Sequence, residues 1–158
     1  MAEVLVKLSF AESDGPLIHS GAYRWLLRTL ALWNWAQWQK WQLPSLYSGR
    51  VRYGTPSKQV LLDALAIQRQ GWADCGPLAA YRMAELWAAG ERGPDAKAPW
   101  KGGADARIYS RPVGRDRVRL YHAQVRRGPQ AGLLTLPTGK RVQKIEDPSR
   151  LLGMKAVA

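Results

Sequence analysis

The stretch "GWADCGPLAAYRMAEL" (residues 71–86) carries the pattern that decides the fold. Asp74 is a natural N-cap, Pro77 fits the first turn of a helix, and Gly90 marks the end of that helix. Between these limits the apolar residues recur at helical spacing, at Leu78, Tyr81, Met83, Leu86 and Trp87. The sequence therefore predicts a helix that begins at Cys75, the only cysteine of the chain.

The position of Cys75 permits two interpretations. A thiolate is the reactive form of cysteine, and the free N–H groups and macrodipole of a first helical turn favour negative charge. The helix start is therefore expected to lower the pKa of Cys75. A lone cysteine in a helix is, however, more often a small buried apolar residue. A nucleophilic role needs partner residues elsewhere in the chain.

Downstream of this helix the hydrophobic pattern changes from helical to alternating. Residues 106–113, 117–127 and 140–147 read as strands, and residues 132–134 as a short fourth strand. Because helices come first and strands later, the sequence predicts an α+β fold. In this fold the Cys75 helix packs on an antiparallel sheet.

Two residues of the predicted strands could form a site with Cys75. His122 lies in "RLYHAQV", where alternation places it on the same face as Gln124. Asp147, at the end of the last strand, could accept an imidazole N–H and fix the tautomer of His122. Glu146 is expected to point to the opposite face, since a shift of one residue reverses side-chain direction. The structural alternatives are a hydrogen-bonded histidine in a strand and an aspartate in a turn.

Upstream of the Cys75 helix, residues 20–42 predict a helix with an excess of tryptophan. We expect this helix to pack on the Cys75 helix or the sheet, because so much aromatic area is unfavourable in water. The excess also leaves room for a partner surface, since aromatic residues are enriched in interface centres. Residues 3–10 read as a strand, and another helix is expected from a Ser57 cap to Gly71.

Length and composition indicate one domain without disulfides. A chain of 158 residues with 46% apolar content can bury a core, and one cysteine forms no internal disulfide. The longest uncharged stretch of the Trp-rich region runs only from Thr29 to Gln39, far short of the roughly 20 residues that span a bilayer. We expect no membrane span and, from the first residues, no signal peptide.

The positive charge is concentrated in the last third of the chain. Residues 101–158 carry 13 lysine and arginine residues against four aspartate and glutamate residues, while the whole chain has a net charge of +12. Such a field attracts polyanions, so nucleic acid is one candidate partner and a solvated basic face is the alternative. One cysteine and two distant histidines make no zinc site, and there is no Gly-rich phosphate loop, so we expect no cofactor.

The segments "GWADCGPLAAYRMAEL", "YHAQVR" and "EDPSRLLGM" together resemble the transglutaminase-like and papain-like cysteine protease superfamily. The resemblance is to its small members from tailed bacteriophages and prophages, and covers roughly residues 44–54 and 71–154. It implies a papain-like core, with Cys75 as nucleophile, His122 as general base and acid, and Asp147 as the orienting carboxylate. It also implies a single domain over residues 1–158.

Within this domain, residues 1–56 would form a Trp-rich extension and residues 57–154 the catalytic core. The sequence departs from the family pattern at Ala73, where glycine is expected, and at Gly76-Pro77, where acidic residues are common. An oxyanion needs preorganised donors. The backbone N–H of Cys75 is one candidate. Gln70, Gln68 or the Trp72 indole could supply another.

The sequence leads to one main functional expectation and three alternatives. The main one is a phage-type cysteine peptidase or amidase that attacks an amide of a peptide or protein through an acyl-enzyme. With an amine as acceptor, the same site would be a transglutaminase. A virion or assembly protein would instead dock on a phage structural protein through the Trp-rich helix and keep a relic triad. A polyanion binder would use the basic last third. The expected location is the bacterial host cytoplasm or the virion.

Overall fold

The computed structural model describes residues 15–56, 60–113, 118–129 and 133–154. The helices are α1 (Gly15–Trp41), α2 (Ala64–Gln70), α3 (Cys75–Ala88) and α4 (Pro148–Leu151). The strands are β1 (Arg52–Tyr53), β2 (Trp72–Ala73), β3 (Asp105–Val113), β4 (Val118–Arg126), β5 (Leu133–Thr135), β6 (Arg141–Gln143) and β7 (Ile145–Glu146). The chain is a mixed helix and sheet protein, in agreement with the predicted α+β class.

Helix α3 forms the centre of the core, as its sequence pattern predicts. It begins at Cys75 after the N-cap Asp74, and most of its side chains are buried. Apolar residues of α1, α3 and the sheet meet in one cluster that includes Leu27, Ala79 and Ala123. Helix α1 and the sheet are therefore held together through α3, and α1 is part of the same core.

The main sheet has the order β3-β4-β7, and both pairings are antiparallel. Tyr109 is paired with His122, and Val125 with Glu146. The prediction of a single strand over residues 140–147 is wrong, because the chain changes its partner strand within this segment. Strand β6 pairs with β5, and β7 pairs with β4. The backbone N–H of Arg127 donates to the carbonyl oxygen of Lys144 between the two short strands.

Helix α1 buries only part of its aromatic surface. Trp35 and Trp38 make edge-to-face contacts with aromatic rings of α3, at ring-centroid distances of 6.0 and 5.8 Å. Trp25, Trp33 and Trp41 are more than half exposed. The expectation that this helix packs on α3 is confirmed, while three of its tryptophans lie largely in solvent.

The helix before α3 is shorter than predicted. It begins at Ala64 rather than after Ser57, which lies outside the described residues, and Val60 is exposed and non-helical. The start is fixed by contacts with α1, because Asn34 Oδ1 accepts the N–H of Ala64 at 2.8 Å. The N-cap Asp63 accepts the N–H of Ala66 at 2.9 Å.

Other expectations fall partly outside the described ranges. The strand predicted for residues 3–10 lies outside them. Among the described residues, no helix is both long enough and apolar enough to cross a membrane.

Candidate active site

The start of α3 places Cys75 against strand β4. The side chain is 7% exposed, and the backbone N–H of Ala123, the residue after His122, acts on the sulfur in the sense that lowers the pKa of the thiol. The N–H of Gly76 acts on the thiol pKa in the same sense. Both N–H groups favour a negatively charged sulfur, and Cys75 packs in one buried cluster with Ala123 of the strand that carries His122.

His122 and Asp147 form a hydrogen-bonded pair. Nε2 of His122 lies 2.8 Å from Oδ2 of Asp147, and both side chains are mostly buried. Asp147 follows β7 and is the N-cap of α4, where its Oδ1 accepts the N–H of Arg150 at 3.3 Å. Because Nε2 faces the carboxylate, Nδ1 is the ring nitrogen that is left for another partner.

Gln124 supports this pair, a role that was not predicted from the sequence. Its Nε2 donates to the same Oδ2 of Asp147 at 3.2 Å. Burial alone would raise the pKa of Asp147, but the hydrogen bonds from His122 and Gln124 outweigh it, and the pKa lies below its ordinary value. Asp147 is thus held ionised. The alternation of β4, which puts Gln124 and His122 on one face, is a sequence signal for this role.

Glu146, the residue before Asp147, belongs to a different cluster on the other side of the strand. Its Oε1 accepts the hydroxyl of Tyr47 at 2.5 Å and the guanidinium of Arg82 at 2.6 Å. Its Oε2 accepts Arg127 Nη1 at 3.0 Å. The carboxylate beside His122 is therefore Asp147, and the opposed directions of the two side chains follow from strand alternation.

The face of the sheet that carries His122 is open to solvent. Tyr109, the residue paired with His122, is 49% exposed. Arg107, paired with Gln124, is also exposed and donates weakly to its Oε1 at 3.5 Å. Among the described residues, the ring of His122 is hydrogen-bonded to Asp147, and no hydrogen bond joins it to the sulfur of Cys75.

The expectation that the helix start lowers the pKa of Cys75 is wrong in direction. Burial raises the pKa of the thiol, and the carboxylate of Asp74 raises it further. The N–H groups of Ala123 and Gly76 act in the opposite sense but are outweighed, and the pKa is about 12. The resting thiol is neutral, so any attack by this sulfur requires that its proton be transferred within the site.

This shift makes a testable prediction about stability. The folded state keeps the thiol proton above the ordinary pKa of 9.0, where the unfolded chain loses it. The unfolding free energy of wild type relative to Cys75→Ala should therefore be constant below that pH and fall above it, by at most about 1.4 kcal/mol per pH unit. Urea unfolding of both proteins across this range is the measurement. A difference that is independent of pH would contradict the buried, neutral thiol.

The backbone donor expected for an oxyanion is already occupied. The N–H of Cys75 donates to Oδ1 of Asp74 at 2.7 Å. Tyr53, whose hydroxyl contacts Thr55 at 3.1 Å, also hydrogen-bonds Asp74. An oxyanion at this N–H would displace the Asp74 carboxylate. The N–H of Cys75 is therefore already hydrogen-bonded in this arrangement, and its role as an oxyanion donor stays a prediction.

The side-chain donor candidates also have other partners. Gln68 Nε2 donates to the hydroxyl of Tyr81 at 2.8 Å, and Gln70 Nε2 donates to the carbonyl oxygen of Trp72 at 2.9 Å. The Trp72 ring lies so close to Gly54 that a Cβ on this glycine would be 2.6 Å from Cε3. The two amides are thus hydrogen-bonded to other groups, and the indole packs on Gly54, the residue after β1.

The described residues contain no group of three or more histidine, cysteine, aspartate or glutamate side chains that could hold a metal ion. The chain matches no family model, and no curated protein or solved structure is significantly similar to it. The functional argument therefore depends on the site itself.

Proposed function

We propose that this protein is a cysteine acyl-transfer enzyme, most simply a peptidase or amidase, with Cys75 as nucleophile. The observation that carries the proposal is the placement of β4. One residue of this strand, Ala123, packs in the same buried cluster as Cys75 and its N–H acts to lower the thiol pKa, and its neighbour His122 is bound to an ionised Asp147. The order of cysteine, histidine and aspartate along the chain and their elements agree with the resemblance to the transglutaminase-like and papain-like superfamily.

The first half of the reaction uses His122 as a base. The thiol proton moves to Nδ1 of His122 while the sulfur bonds to the carbonyl carbon, and the π electrons of the carbonyl move to its oxygen. Asp147 stabilises the imidazolium through Nε2. The tetrahedral intermediate then collapses, the C–N bond breaks, and the imidazolium protonates the departing amine. A thioester with Cys75 is the product.

The second half of the reaction regenerates the thiol. Water attacks the thioester while His122 takes its proton, and collapse of the second intermediate returns that proton to the sulfur. The acid is released. If an amine attacks instead of water, the product is a new amide, as in a transglutaminase.

Labelling with a cysteine-directed electrophile tests this proposal. Because Cys75 is the only cysteine, one added probe per chain, detected by intact mass, reports on this thiol alone. We expect wild type to be labelled at neutral pH and Cys75→Ala not at all. We expect His122→Ala to react about 10²-fold more slowly or worse, because it lacks the base. Equal labelling of wild type and His122→Ala would overturn the proposal.

The exposed tryptophans of α1 favour a second candidate, a docking role in an assembly. Trp25, Trp33 and Trp41 are more than half exposed, which is a large aromatic area for one helix. In that case the raised pKa of Cys75 would reflect a buried residue without a chemical role. Cys75→Ala should then keep the biological activity in full, whereas the acyl-transfer proposal requires that the activity be lost.

A further inference from the structure

The site needs a donor for the oxyanion, and the first turn of α3 has one that comes from α1. A Cβ on Gly76 would lie 2.0 Å from the hydroxyl oxygen of Tyr23 and 3.0 Å from its Cζ. The hydroxyl therefore fills the space that a side chain at position 76 would need. Gly76 follows Cys75 directly, so the phenol lies beside the first turn of α3, where Cys75 is the first residue.

We propose that Tyr23 is a catalytic residue that donates its hydroxyl hydrogen to the oxyanion formed when Cys75 attacks a carbonyl. This inference rests on the proposed acyl-transfer function. It assigns the donor role to a residue of the Trp-rich helix, outside the segment 57–154 that is predicted to form the catalytic core. Two donors predicted from the sequence, Gln68 and Gln70, are hydrogen-bonded to other groups.

The electrostatics of Tyr23 agree with a donor role. Burial raises the pKa of its hydroxyl, and the nearby Cys75 and Asp74 raise it further, to well above the ordinary value for tyrosine. The phenol therefore stays protonated at every pH at which the enzyme could work. A neutral O–H in a mostly buried place stabilises a developing negative charge more strongly than it would in water.

Two reagents separate this role from a structural one. p-Nitrophenyl acetate acylates Cys75 through a tetrahedral oxyanion: the S–C bond forms, the carbonyl π electrons move to oxygen, and collapse expels p-nitrophenolate. The thiol proton passes to His122. Iodoacetamide alkylates the same sulfur by direct displacement of iodide, and no oxyanion forms. Only the first reaction therefore uses a donor to oxygen.

Tyr23→Phe is the decisive variant, because it removes the hydroxyl and keeps the ring. We expect single-turnover acylation by p-nitrophenyl acetate to fall by about 10²-fold. Alkylation by iodoacetamide should stay within about twofold of wild type, because the effect of one donor is specific to the oxyanion. Tyr81→Phe is the matched control, since its hydroxyl donates to the carbonyl oxygen of Pro44 at 2.7 Å. Both of its rates should be unchanged.

Three results would overturn the inference. If Tyr23→Phe leaves both rates unchanged, the hydroxyl has no role in the reaction. If both rates fall by the same factor, Tyr23 only supports the structure around Cys75. If wild type reacts with neither reagent in a manner that depends on His122, the proposed function fails and the inference fails with it.

Discussion

Replacing Asp147 with asparagine is expected to slow acylation of Cys75 by p-nitrophenyl acetate by about 10²- to 10⁴-fold. The carboxylate accepts from Nε2 of His122 at 2.8 Å and stabilises the imidazolium that forms during attack. An amide lacks the negative charge, and where it presents its NH₂ group to the ring it favours the other tautomer. Single-turnover acylation at neutral pH is the measurement.

This variant should fold normally. Asparagine is also a good N-cap, so it can still accept the N–H of Arg150 at the start of α4. We therefore expect a urea midpoint within experimental error of wild type. Acylation that remains within about threefold of wild type would contradict the role of Asp147, since loss of the orienting carboxylate has far larger effects.

Replacing the neighbouring Glu146 with glutamine is expected to have the opposite profile. It should lower the free energy of unfolding by about 3 kcal/mol, because removal of one member of a buried ion cluster leaves the other charges unpaired. Arg82 Nε and Arg127 Nη1 lie 2.6 and 3.0 Å from the Glu146 carboxylate, and both arginines are mostly buried. Urea unfolding is the measurement.

The chemistry of the folded variant should be preserved. Under conditions where Glu146→Gln is folded, iodoacetamide should alkylate Cys75 at the wild-type rate, because Glu146 faces away from His122. Asp95→Asn is the control for stability, since Asp95 is exposed and its carboxylate accepts only the N–H of Lys97, at 2.9 Å, among the described residues. A Glu146→Gln protein as stable as wild type, or folded but unreactive, would contradict the separation of the two carboxylates.

The parts of the fold that depend on local chemistry could be predicted from the sequence. Asp74 as N-cap, Cys75 as first residue of α3 and the opposed directions of Glu146 and Asp147 all follow from rules that act within a few residues. The pairing of His122 with Asp147 could also be predicted, because it depends only on two strands and their order along the chain.

The parts that depend on distant contacts could not be predicted. The start of α2 is fixed by Asn34, which lies on another helix. The division of residues 140–147 into β6 and β7 depends on two different partner strands. Tyr23 reaches Gly76 only because α1 packs against α3, and no spacing in the sequence indicates this contact.

The pKa of Cys75 illustrates the same limit for the site. The helix start favours the thiolate, as the local sequence indicates, and the N–H groups of Gly76 and the distant Ala123 act in the same sense. Burial and the Asp74 carboxylate act against it and are stronger, so the pKa is raised to about 12. The degree of burial is a property of the packed core, which the sequence around residue 75 does not contain. Attack by the Cys75 sulfur at neutral pH therefore depends on a base that accepts the thiol proton.

The most direct test of the account is therefore the pH dependence of alkylation of Cys75 by iodoacetamide, in wild type and in His122→Ala. We predict that wild type reacts in the neutral range, where His122 accepts the thiol proton. His122→Ala should be slower there by about 10²-fold or more. Its rate should rise only in the alkaline range, as the buried thiol ionises with a pKa of about 12. Superimposable profiles for the two proteins would show that His122 does not act on Cys75 and would contradict the account.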